Sequence, residues 1–150
     1  MFTREESAQI KQAFWTAFGK YMAPVPSAEG ERINWINYKT GIKHIYVRMN
    51  AEKNFASVAL EITNTDPVVR QLYFNQLTGF ASLWESAGDW TWNVDEKKEN
   101  GQAYCSINKV ITGVNIFRQE DWPAIISFLK TSVIELDGFW YIAKDLIEQL

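Results

Sequence analysis

The sequence predicts a single α+β domain, a mainly antiparallel sheet packed against helices in the order α-βββ-α-βββ-α. Three observations carry this. Apolar residues recur at helical spacing near the start, the middle and the end of the chain, and at every second position between. Isolated glycines and Asn/Asp clusters punctuate the alternating stretches, as tight turns require. At 150 residues the chain suits one domain, 1–150, and buries enough surface to dispense with metals and disulfides.

Thr3-Arg4-Glu5-Glu6 has the form of a capping box. Ile10, Phe14, Ala17, Phe18 and Tyr21 follow on one helical face, so a helix is predicted over 3–22. Pro24 and Pro26 stop it. From Ile33 the period becomes two, and Ile33–Tyr38 reads as a strand, with Lys39-Thr40-Gly41 as its turn. Ile42–Met49 and Phe55–Ile62 complete a predicted meander, with Ala56, Val58, Leu60 and Ile62 facing inward.

Thr65-Asp66-Pro67 opens a second helix, predicted over 67–86 with Gly88 as its cap. Trp90, Trp92 and Val94 alternate with polar residues in a fourth strand. Asp95–Gly101 reads as a charged turn, and Ala103, Cys105 and Ile107 mark a fifth strand. Val114–Phe117 reads as a short sixth. The tail keeps helical steps from Trp122 to Ile147 across Gly138, so one helix is predicted over 120–148, bent or broken at Gly138 as alternatives. A helix followed by three strands occurs twice in this reading, which raises an ancient duplication as one origin of the order.

Composition excludes several classes. Cys105 is the only cysteine and His44 the only histidine, so intrachain disulfides, cysteine-rich zinc sites and two-histidine sites are ruled out. No stretch has the length and apolarity of a membrane span, and Met1–Glu6 lacks the pattern of a secretory signal; a cytoplasmic setting is expected. No glycine-rich phosphate cradle precedes a helix. No cofactor and no metal is expected. Residues 1–75 carry nine basic and seven acidic side chains, residues 76–150 six and eleven. Neither half has the concentrated basic stripe of a nucleic-acid protein.

Three surface features remain. If Val47 faces Val58, His44 lies opposite Glu61, the best acid–base pair the chain offers; the plainer alternative is a surface cross-strand pair. Asp95-Glu96-Lys97-Lys98-Glu99 contains the acid-x-Lys pattern of restriction-type nucleases, but in a predicted turn, and Glu61-Ile62-Thr63 lacks the lysine. Arg32, Lys39, Lys43, Arg48 and Lys53 interleave with Trp35, Tyr38 and Tyr46, the chemistry that suits single-stranded nucleic acid. On this reading Ile36, Tyr38, His44 and Tyr46 share one outer sheet face with Arg48, a face for a helix or a second subunit to cover.

The segments Ile45–Ile62, Thr65–Trp84, Asp89–Ile107 and Glu120–Leu136 resemble a bacterial family of domains of unknown function. Members stand alone or close larger proteins whose first part is nuclease-like. The resemblance implies the fold and a bacterial cytoplasmic setting, and brings no catalytic residue. The expectation is therefore a binding or interaction domain, a homodimer or one engaging a partner protein. A nucleic-acid module and an enzyme using His44 and Glu61 are the alternatives. The candidate surface is Ile36, Tyr38, Lys39, His44, Tyr46, Arg48 and Glu61.

Overall fold

The computed structural model describes residues 1–150 and has the order α-ββ-α-ββ-α. Helix α1 spans Arg4–Met22. Its capping box is closed: Glu6 N–H donates to Thr3 Oγ1 at 3.1 Å, and Thr3 N–H to Glu6 Oε1 at 3.0 Å. Hydrogen bonding from Thr3, its backbone N–H first, holds the Glu6 carboxyl below its ordinary range. Phe14, Phe18 and Met22 bury its inner face.

Strands β1 (Ile45–Ala51), β2 (Phe55–Ile62), β3 (Thr91–Lys97) and β4 (Ala103–Thr112) form one antiparallel sheet in the order β1-β2-β4-β3. Ala56, Val58, Leu60 and Ile62 point into the helical layer and are at most 1% exposed. The β3–β4 register shifts between Asn93 and Glu96. Helix α2 (Pro67–Gly79) is capped by Asp66, whose carboxylate accepts the Val68 N–H at 2.8 Å. Helix α3 (Trp122–Glu148) runs unbroken through Gly138 and supplies the largest share of the core.

Several expectations are corrected. Ile33–Tyr38 is not a strand. Asn34 Oδ1 accepts from Ile36 N–H and Asn37 N–H, both at 3.1 Å, and winds the backbone into an Asx turn. The alternation there arises because Trp35 is buried while its neighbours face out. Val114–Phe117 also fails as a strand, although Val114 and Ile116 are buried; Ile116 N–H reaches Glu52 O and Phe117 N–H reaches Asn115 Oδ1. Helix α2 ends at Gly79, short of 86, and Gly88 lies in a separate 3-10 turn. Strand β3 continues through Lys97 into the expected turn.

Tryptophans fasten the layers. Trp84 stacks on Phe139 of α3 at 4.4 Å between centroids and meets Trp90 and Trp92 at 5.2 and 6.2 Å. Trp35, Trp90 and Trp140 are buried, and Trp15, Trp84, Trp92 and Trp122 are half-buried against the core.

Candidate functional site

The expected surface divides into two sites on different parts of the molecule. The first is the sheet face turned away from the helices. Cross-strand register places Tyr46, not His44, opposite Glu61. The pairing is displaced by two residues from the expected register, and a two-residue slip keeps each side chain on its face while changing its partner. His44 precedes β1 with φ of 71°, and its carbonyl accepts the Thr63 N–H at 2.8 Å and the Thr63 hydroxyl at 3.1 Å. It serves as a backbone hinge there and does not pair with Glu61 across the strands.

Glu61 is sunk into this face, 8% exposed. Lys98 Nζ donates to its Oε1 at 2.7 Å, and Arg48 Nε lies 3.7 Å from the same oxygen. Lys98 comes from the acidic and basic run 95–99, so that run does reach Glu61, by folding and not along one strand. Both cations also cover rings. The Arg48 guanidinium lies 4.6 Å from the Tyr46 centroid and Lys98 Nζ 4.2 Å from that of Tyr104. Burial, then the charges of Glu96 and Glu61, push the Tyr104 phenol above its ordinary value. Asn93 donates to Glu96 at 2.6 Å. Two cations thus hold Glu61 on a face that no helix covers, with Glu96 bonded to Asn93 beside them, and Tyr46 remains 40% exposed at its edge.

The second site is a cleft of about 860 Å³ between α3 and the chain linking α1 to β1. Here lie Tyr38 and Lys39. Asp137, only 7% exposed, forms its floor. Its carboxylate accepts the Tyr38 hydroxyl at 2.5 Å and the Ala28 N–H at 2.7 Å. Burial first, then the bond to Asp137, drives the Tyr38 phenol far above its ordinary value. Trp140 Nε1 donates to Thr40 O at 2.9 Å, and the Thr40 hydroxyl to Ile45 O at 2.7 Å. Ile36 belongs to neither site: its Cδ1 lies so close to Gly19 of α1 that a Cβ there would meet it at 2.9 Å.

The basic stretch 32–54 does not form one surface. Arg48 lies on the sheet, Lys39 in the cleft and Lys53 in the β1–β2 turn. Cys105 is buried, donates to Val94 O at 3.2 Å, and has its thiol raised mainly by burial, the profile of an inert core cysteine.

Sequence reasoning missed Asp137, Trp140, Lys98 and Tyr104. Asp137 left one trace: it is an acid beside Leu136 and Trp140 on an otherwise apolar flank. Lys98 stood in the acid-x-Lys run but without a partner, and Tyr104 left no trace, since only the sheet order brings them to Glu61.

By fold the chain is an antiparallel α+β domain with all its helices on one side of the sheet. A family model described as a domain of unknown function, DUF4268, matches residues 10–144, and the chain belongs to that family. No curated protein and no solved structure matches it. No helix is long and apolar enough to cross a membrane.

Proposed function

We propose that this chain is a binding domain of the bacterial cytoplasm, without chemistry of its own, which pairs with a second copy through the bare face of its sheet. The observation that carries the reading is the sunken Glu61 held between Lys98 and Arg48. Its charged groups are engaged with one another, which suits recognition more than proton transfer. The face is neutral in sum, with Arg48 and Lys98 set against Glu61 and Glu96. Such a mixed-sign surface is self-complementary about a twofold axis. It has no excess of cations to neutralise a phosphate backbone, which favours protein over nucleic acid as the partner. Tyr46 and Val110, 40% and 50% exposed, supply apolar contact at its margins.

Sedimentation equilibrium tests this. The wild-type chain is expected to dimerise, and Tyr46→Asp, which sets a new carboxylate opposite Glu61, to shift it to monomer with its circular dichroism unchanged. A wild-type chain that stays monomeric up to about 1 mM, where even weak interfaces populate, would overturn the proposal.

A further inference from the structure

The cleft beside α3 is independent of the sheet face. Twenty-two residues separate Met22 from Ile45 without a helix or strand. Connections longer than about 12–15 residues are uncommon in compact domains and tend to carry function. This one is fixed in place. Asp137 holds both Ala28 and Tyr38, Trp140 holds Thr40, and Trp35 Nε1 donates to Val25 O at 3.0 Å. Yet the segment, so fixed, does not close on the helix. It leaves a space of about 860 Å³, within the usual range of small-molecule sites of roughly 300–1,000 Å³.

The chemistry of the walls selects an occupant. Helix α3 presents Asp137, Trp140, Tyr141, Lys144, Asp145 and Glu148 at steps of three and four, one continuous face. Opposite stand Glu29, Tyr38 and Lys39. Four carboxylates face two amines, so the lining is net negative. Lys144 is partly withdrawn from it. Its Nζ lies 3.8 Å from Glu148, and its end rests over Gly41, where a Cβ would meet Nζ at 2.6 Å. Tyr141, 54% exposed, and the half-buried Tyr38 add aromatic surface to the negative lining, the combination that attracts organic cations.

We infer that the cleft binds a small organic cation, an amine or guanidinium carried on an apolar body. The cation lies toward Asp145 and Glu29, and the body lies along Tyr141. Asp137 is a positioning residue in this scheme, because its two oxygens are already taken by Tyr38 and Ala28.

Three probes of one shape and different charge decide it: phenethylamine, 2-phenylethanol and phenylacetate, titrated against the full chain by protein-observed NMR. Phenethylamine is expected to shift the amides of 27–40 and 137–148 saturably. 2-Phenylethanol should bind about five-fold more weakly, the size of one cation–aromatic contact, and phenylacetate more weakly still. Asp145→Asn should weaken the amine about three-fold and Lys144→Gln tighten it about two-fold, effects of single partly exposed charges. Both sites are solvent-accessible, and a loss of packing would not reverse sign between them. Three results would each overturn the inference: no saturation by phenethylamine at about 10 mM, a concentration that reveals millimolar affinity; equal affinity for all three probes; or preference for the carboxylate.

Discussion

Tyr38 and Asp137 are 99 positions apart and share one short hydrogen bond. Removing the phenol oxygen leaves a buried carboxylate with Ala28 N–H alone, so Tyr38→Phe should lower stability at neutral pH by about 1–3 kcal/mol. The bond also sets a pH dependence. A phenol whose proton is held more tightly in the folded chain contributes its full stability below the ordinary tyrosine value of about 10. That contribution declines as pH rises past this value. Thermal melting should fall steeply in alkali, and Tyr38→Phe should flatten the fall; melting identical to wild type at neutral and alkaline pH would remove the argument. Tyr38 was legible as an unusual residue from its flanking basic and aromatic neighbours. Its partner was not, because an Asx turn at Asn34, and not a pleat, decides where Tyr38 points.

Among the elements, those with their own local signals are legible at their starts, although α2 ends seven residues short of its expected end. Helix α1 follows from its capping box, α2 from Asp66-Pro67, and the inner face of β2 from strict alternation. The two segments misread as strands share one cause. Their apolar residues alternate in burial, but their backbone donors go to a side-chain oxygen or a distant carbonyl, and periodicity is blind to that difference. Helix α3 offers the cleanest test at this scale. A Cβ at Gly138 would meet nothing within 4 Å, and the helix is continuous through it. Gly138→Ala should therefore stabilise the chain by about 1 kcal/mol, read as a rise in denaturation midpoint. A destabilised variant would mean that the helix breaks there in solution.

At the scale of the whole molecule, the core was legible and the sites were not. A register slip of two residues left every inward residue of β1 and β2 on its expected face and replaced His44 with Tyr46 opposite Glu61. Core composition survives such a slip, while a site made of particular pairs does not. The layers are joined where Phe139 of α3 lies under Trp84 and against Trp92. Phe139 is 2% exposed, so Phe139→Ala should cost about 3–5 kcal/mol in chemical denaturation, the loss of a large ring from a packed interior. A loss below about 1 kcal/mol, the scale of surface changes, would show that the aromatic contacts do not join the two layers.

The anchoring of residues 23–44 also has a history in time. The groups that hold this segment, Asp137 and Trp140, are made well after it as the chain is synthesised, 109 residues after Ala28 and 100 after Thr40. Contacts so distant in sequence form slowly, since a long loop must close before they return any energy. The nascent chain can shape α1 and the β1–β2 hairpin early, while the stretch between them waits for α3. Any truncation before Asp137 therefore leaves the early part of the protein unfinished, though every residue of that part is present.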